Sequence, residues 1–286
     1  RSFAYGELAA KAAELSVANV KIKKPRDFTL IGLPTPRVDT PSKVDGSAVF
    51  GMDVRVEGMV YAAVKHCPVL GGKLRGYRFN SVRGMPGVIA AARLETGVAI
   101  VAESFWQASQ AVEKLPVQWD IGEEEKSYSE KMRQEFAAAL PNPGVMLRQD
   151  RGTEAALETS ENILVSDYLV PYLSHACMEP MNCTAHVRGD EVEIWAGVQN
   201  PHVVKRDVAQ LTGFTEDKVL VNNCYLGGGF GRRAHTDYVL EAVTIAREVG
   251  LPTQMIWSRE DDMRGGQYRP MAAARFKVGL DLDNNV

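Results

Sequence analysis

Apolar residues recur along this chain with two different periods, and the alternation between them sets out its elements. Apolar-rich runs over 59–65, 88–92, 98–102, 117–119, 163–169, 184–187, 192–196, 218–225 and 253–257 predict strands. Helical spacing over 2–15, with Leu8, Ala9, Ala12, Ala13 and Leu15 on one side, predicts a helix that Ser2 caps. Ser104 and Gln107 have capping-box spacing ahead of a helix carrying Phe105, Ala108, Ala111, Val112 and Leu115, stopped by Pro116. A further helix is expected over 129–139. Asn200 with Pro201 opens another that Gly213 closes, and the run from Thr236 to Val249 ends at Gly250. A short helical turn is expected at 80–84. Strands and helices mix without strict alternation, so the expected fold class is α+β.

Prolines divide this pattern. Pro25, Pro34, Pro36 and Pro41 make 23–41 an extended connector. The expected organisation is an N-terminal helix and connector over 1–42, a compact α/β unit over 43–121, a polar linker or excursion over 122–161 that includes Glu123–Lys126, and a second unit over 162–286. At the far end Phe276, Val278, Leu280 and Leu282 alternate and Asp283-Asn284-Asn285 supplies a turn. With one residue after that turn, and Arg1 in place of Met, the expected reading is a fragment whose last hairpin lacks its return strand.

Composition narrows the function classes. The 286 residues are 45% hydrophobic and 24% charged, with a net charge of −3, so no basic field points to nucleic acid or an acidic membrane surface. Cys67, Cys177, Cys183 and Cys224 are too sparse for a disulfide framework and read as buried thiols. No apolar run is long enough to span a membrane.

The segment Leu226-Gly227-Gly228-Gly229-Phe230-Gly231-Arg232-Arg233 lies between an apolar strand and an amphipathic helix. So many glycines remove nearly every Cβ and let a ligand touch main chain. Successive N–H groups ahead of a helix make an anion-binding nest, Arg232 and Arg233 add charge suited to an oxyanion, and Phe230 makes a wall beside the ligand. A dinucleotide-binding fingerprint fits weakly, with Ala234 in the last glycine position and no acidic residue closing the next strand, and the Gly-Lys-Ser/Thr of a Walker loop is absent. A tight packing turn is the bland alternative, and a metal-free anion- or nucleotide-binding module is the second functional one.

Three other stretches carry chemistry. His175, Cys177, Cys183 and His186 lack the paired spacing of a structural zinc site, so no metal ligands are assigned. Glu179 is either an acid–base group or the holder of a turn beside Pro180. Gln199 ends a strand and can donate to a bound oxo group, but from spacing alone a helix cap by Asn200 with Gln199 incidental is the preferred reading. The run from Ser258 to Met263 reads as a solvated, self-paired loop, and Arg269 after Tyr268 can orient a substrate carbonyl or ring nitrogen.

GGGFGRR, WSREDDM, YRP, YLSHACMEPMN and WAGVQNP follow one another as in the large subunits of molybdenum hydroxylases, and KVDGSAVFGMDVRVEGMVYAAVKHCPVLGG resembles the start of their α/β hammerhead domain. The chain thus resembles the xanthine dehydrogenase / aldehyde oxidase family, above all its isoquinoline 1-oxidoreductase and membrane-associated aldehyde dehydrogenase branch. That resemblance implies a hammerhead domain followed by the first part of a molybdopterin-binding domain. It also implies a molybdenum–pyranopterin cofactor, as molybdopterin cytosine dinucleotide, that this fragment alone lacks. The implied reaction is water-derived hydroxylation of N-heterocycles or aldehydes, with electrons leaving to a small [2Fe–2S] subunit. By match, Gln199 would donate to a molybdenum oxo or sulfido ligand, Gly228, Gly229, Phe230, Gly231 and Arg232 would border the cofactor, Phe230 would line the substrate pocket and Arg269 would orient substrate. The family's catalytic glutamate would lie outside this chain, so the fragment is expected to be inactive by itself. Ala234 stands where purine-oxidising members carry glutamate, which argues against purines. The implied location is bacterial, in the cytoplasm or, after folded export, the periplasm or cell envelope.

Overall fold

A computed structural model describes residues 2–16, 19–122, 128–142 and 144–286; the expected Glu123–Lys126 run lies outside them. It divides at Ala48/Val49 into two compact units. The first holds helix α1 (Tyr5–Ala13) and the short helix α2 (Thr40–Val44). Helix α1 starts later than its sequence suggests. Ala4, not Ser2, takes the N-cap position and donates its N–H to Glu7 Oε2 at 3.0 Å, and none of its residues is buried.

In the second unit the order is β1 (Val60–His66), β2 (Lys73–Tyr77), β3 (Val88–Arg93), β4 (Gly97–Ala102), α3 (Phe105–Lys114), β5 (Val117–Asp120), α4 (Ser129–Ala139), α5 (Thr153–Thr159), β6 (Asn162–Val170), β7 (Leu173–Ser174), β8 (Asn182–Arg188), β9 (Glu191–Ala196), α6 (Pro201–Thr212), β10 (Val219–Asn223), α7 (Asp237–Val249), β11 (Thr253–Ile256), α8 (Arg259–Arg264), β12 (Tyr268–Arg269) and β13 (Ala272–Leu280). One seven-stranded sheet runs β10-β9-β8-β11-β1-β4-β3. Strands from 43–121 and from 162–286 therefore share a sheet. They join where β1 and β11 pair in parallel, Val60 opposite Thr253. The fold is mixed α and β.

Alternation along the central strands decides what covers each face. Ala62 and Val64 of β1 and Ala99 and Val101 of β4 turn towards Val239, Ala242, Val243 and Ala246 of α7. Ala63, Val98, Ile100 and Ala102 turn the other way, against Ala108, Ala111 and Val112 of α3. A strand covered on both faces has to be apolar at every position, which is why β4 reads Gly-Val-Ala-Ile-Val-Ala and is wholly buried. Helix α3 begins as its spacing predicts: Ser104 Oγ accepts from Gln107 N–H at 3.3 Å and donates to Gln107 Oε1 at 2.9 Å. In α6, Asn200 occupies the N-cap position without a side-chain cap, and Gly213, at φ 77°, lets the chain leave the helix.

One pairing lies beyond the expected elements and one expectation changes. β13 pairs antiparallel with β6 along its whole length, from Ala272 opposite Val170 to Leu280 opposite Asn162. That partner lies over a hundred residues upstream, beyond the reach of hairpin spacing. The acidic run after Trp257 is helix α8, not a loop. Ser258 Oγ accepts from Asp261 N–H at 3.0 Å and Asp262 is buried.

His66, at the end of β1, ties three elements together. Its Nε2 lies 3.0 Å from Glu241 Oε1 on α7 and its Nδ1 lies 3.4 Å from Asp261 Oδ1 on α8. Trp257, its ring centroid 4.4 Å from that of the imidazole, donates to the other oxygen of Glu241. Burial favours the neutral ring, but the two carboxylates outweigh it and raise the His66 pKa to about 10. Because this is above the unfolded value of about 6.5, the imidazolium contributes its full stability below pH 6.5 and loses it as pH rises towards 10. Urea denaturation across that range is expected to show wild type losing stability relative to His66→Gln by up to about 1.4 kcal/mol per pH unit. Parallel pH dependences for the two proteins would contradict this.

Candidate functional site

Four chain segments meet at one end of the sheet because of strand direction. β9 and β10 are parallel neighbours, so Gly197–Asn200 and the glycine loop both leave the sheet at the same end, each leading to a helix. β8 is antiparallel to β9, which brings its approach, 175–181, to that end. β11 is antiparallel to β8, so Trp257 and α8 follow there too. The carboxyl ends of adjacent parallel strands are where open α/β sheets bind ligands.

The glycine loop runs beside 175–179. Glu179 N–H donates to Gly227 O at 3.0 Å, and Cys177 Sγ lies 3.5 Å from Gly229 O. His175 Nε2 is 3.9 Å from where a Cβ on Gly231 would sit. No side chain fits between the segments. A Cβ on Gly227 would stand 2.6 Å from Glu179 Cβ. Gly228 (φ 103°), Phe230 (φ 52°) and Gly231 (φ 99°) all take left-handed backbone, which Phe230 adopts at a cost in strain. Among the described residues nothing accepts a hydrogen bond from the N–H of Gly228, Gly229 or Phe230. Three successive donors are thus free, which is what an anion-binding nest requires.

Gln199 stands over this nest. Its Oε1 accepts from Gly231 N–H at 3.0 Å and its own main-chain N–H donates to Arg233 O at 3.0 Å. Since the oxygen is committed to an N–H donor, the amide nitrogen is the end left without a protein partner among the described residues. Asn200 does not cap α6, so the alternative of a helix-capping pair does not hold. A Cβ on Gly229 would lie 2.8 Å from Gln199 Oε1 and 3.2 Å from Leu226 Cδ1, so glycine is what lets the amide settle on the loop. The Phe230 side chain is 63% exposed, and Met178 is exposed on the neighbouring segment. The structure thus brings Gln199, Gly228, Gly229, Phe230 and Gly231, all marked by the sequence, together at one place.

The two arginines behave differently from expectation. Neither faces the open side of the loop. Arg232 is 2% exposed, forms a bidentate pair with Asp237 at 2.8 and 2.7 Å, and lies over the rings of Trp257 and Tyr238. Arg233 is 1% exposed and donates to the carbonyls of Gly228 (2.9 Å), Gly197 (3.2 Å), Glu179 (2.9 Å) and Pro180 (3.3 Å). Both guanidinium groups turn inward because each finds buried oxygen acceptors there; a sequence shows the charge but not its direction.

Glu179 resolves the same way, as a holder of main chain. Its Oε2 accepts from Gly227 N–H (2.8 Å) and Arg233 Nη2 (3.1 Å), and its Oε1 accepts from Met52 N–H (3.1 Å) and Asn182 Nδ2 (2.9 Å). Arg269 lies in β12, exposed, opposite Leu173 of β7, and its charge reaches His175. Burial is the main cause that lowers the His175 pKa, and the charges of Arg269, Arg232 and His235 add to it against a raising backbone contact from Gln267. The shift favours the neutral imidazole. Arg259, which the sequence pattern did not single out, fixes the turn before Glu179 by donating to the carbonyls of Cys177 (2.6 Å) and Met178 (2.9 Å). The thiols of Cys177, Cys183 and Cys224 are all raised by burial, so they sit there as thiols.

Fold and site together define a class: an α+β protein with a glycine loop of free N–H groups and a side-chain amide at a sheet end. The chain belongs to the molybdopterin cofactor-binding domain family, which matches residues 138–286, and so to the xanthine dehydrogenase / aldehyde oxidase group. It is 30% identical to the beta chain of isoquinoline 1-oxidoreductase from Brevundimonas diminuta over 97% of this chain and 37% of that one. With a subunit of nicotinate dehydrogenase from Pseudomonas putida it shares 28% identity over 96% of this chain and 24% of that protein. The solved quinoline 2-oxidoreductase of Pseudomonas putida 86 superposes with a TM-score of 0.68 at 17% identity, covering 86% of this chain and 37% of that one, a likeness of fold. The chain thus spans about two fifths or less of the lengths of these relatives.

The residues present fit a molybdenum–pyranopterin group. Three free N–H donors and an unpartnered amide nitrogen suit anionic oxo or sulfido atoms, and Gly229 leaves the room a Cβ would fill.

Proposed function

We propose that this chain supplies the glycine loop and glutamine of the cofactor site in a molybdenum hydroxylase. The protein carrying it oxidises N-heterocycles or aldehydes by water-derived hydroxylation. The observation that carries this reading is the run of three free N–H groups at Gly228–Phe230 beside a glutamine whose amide oxygen is locked by Gly231. The bound group, in its cytosine dinucleotide form, supplies the redox chemistry. Gly228, Gly229 and Phe230 would hold its anionic ligands through main-chain donors, and Gln199 would offer its amide nitrogen to one of them. Phe230 walls the substrate's approach and Arg269 orients a substrate carbonyl or ring nitrogen. Ala234, half-buried and uncharged, offers no carboxylate to hydrogen-bond a purine. Residues beyond those of this chain complete the acid–base chemistry, so 1–286 alone is inactive. Electrons pass to a [2Fe–2S] partner subunit, and the protein works in the cytoplasm or, exported folded, in the cell envelope. Among the described residues no helix is long and apolar enough to cross a membrane.

The test is the molybdenum content, by elemental analysis, of the full-length gene product co-expressed with its iron–sulfur partner. Near-stoichiometric metal, with Gln199→Ala retaining metal but losing at least about tenfold in turnover, is the expected result. A well-folded protein without molybdenum, made in cells that produce the cofactor, would replace this reading with the metal-free binding module.

A further inference from the structure

We propose that Glu179 and Arg233 are positioning residues, a buried latch that holds the glycine loop in its donor-displaying conformation; the role rests on the cofactor reading above. Neither side chain faces the open side of the site, yet between them they engage the loop's main chain on both its donor and its acceptor side. Glu179 Oε2 takes the Gly227 N–H, and Arg233 Nε takes the Gly228 carbonyl. The remaining Arg233 donors bind the Gly197, Glu179 and Pro180 carbonyls, tying the loop to the two segments that flank it. The other carboxylate oxygen reaches Met52 N–H and Asn182 Nδ2, so it cannot swing away. With the Gly227 donor and the Gly228 acceptor held, the next three N–H groups stay free of protein acceptors, and Phe230 is kept at its positive φ.

A carboxylate serves here better than an amide because all four of its neighbours are donors, one of them charged. A glutamine in its place presents an NH2 group to donors on one side. The nest then loses the contact that orients it, while the sheet strand β4, buried between α7 and α3 away from the latch, stays formed. The latch therefore acts on the ligand through the loop and touches no reacting atom.

The experiment is carried out on the full-length gene product with Glu179→Gln and, as a second variant, Arg233→Lys, which keeps the charge but loses the fork. Hydrogen–deuterium exchange of the loop peptide spanning 222–235 is compared with that of β4. In both variants the loop peptide is expected to exchange at least about tenfold faster than in wild type, with β4 unchanged. Molybdenum per folded chain falls severalfold, and the Mo(V) spectrum of the retained fraction changes shape, more in Glu179→Gln than in Arg233→Lys. Loop exchange equal to wild type in either folded variant would overturn the latch. Because exchange needs no cofactor, a wild-type protein devoid of molybdenum would count against the proposed function while the latch is still decided by the loop peptide.

Discussion

Arg233→Ala is expected to destabilise this protein by about 3–5 kcal/mol, the range for breaking a buried ion pair by deleting one partner. Arg233 is 1% exposed and Glu179 is 8% exposed, so water does not replace what is lost. Truncation removes the charged partner of the Glu179 carboxylate and leaves the Gly228 and Glu179 carbonyls without a donor, while Gly197 O keeps Tyr238 Oη and Pro180 O keeps Asn182 Nδ2. Each buried acceptor without a partner adds its own desolvation cost. Tyr238, which packs against the guanidinium and donates to Gly197 O at 2.9 Å, keeps part of that cluster in place. Urea or thermal denaturation measures the loss. Replacing both members, Glu179→Gln with Arg233→Met, is expected to be less damaging than Arg233→Ala alone, since no uncompensated charge stays inside. A loss under about 1 kcal/mol for Arg233→Ala would show that solvent reaches the pair.

The second large effect falls on the site and spares the fold. Gly229→Val in the full-length gene product is expected to reduce molybdenum content to under a tenth of wild type while leaving the melting temperature within a few degrees. Gly229 has no positive φ, so a side chain is not forbidden by the backbone. Its Cβ meets Gln199 Oε1 at 2.8 Å and Leu226 Cδ1 at 3.2 Å, both ends of side chains that can turn. The protein relieves the clash by moving Gln199, and in doing so it breaks the Gly231 N–H contact and fills the space over the free donors. Gly228→Val is a contrast: at φ 103° it strains the backbone itself, so stability falls along with metal content. Full molybdenum content in Gly229→Val would place the cofactor elsewhere.

Within this chain, local chemistry was legible and direction was not. The period-two runs located the sheet strands because strand burial imposes alternation, and β4 stood out because it is covered on both faces. Ser104 and Gln107 announced α3, and Pro201 with Gly213 bracketed α6, because caps and breakers act over a few residues. Four glycines around one phenylalanine marked the loop, since no packed core needs so many missing Cβ atoms in a row.

Tertiary structure decided the rest. The short strands β2, β7 and β12 carry too little pattern to stand out, and they exist through their partners. The pairing of β13 with β6, and the parallel join of β1 to β11 that merges two expected domains into one sheet, depend on residues more than a hundred positions apart. Charge gave the same lesson in the site. Arg232, Arg233 and Glu179 look alike in sequence to groups that meet a ligand, yet all three turn inward, because buried carbonyls, N–H groups and carboxylates wait for them there. What the residues determined by themselves was which backbone is bare of side chains. Which charges turn inward to hold that backbone was set by the packing of four segments at one end of a sheet.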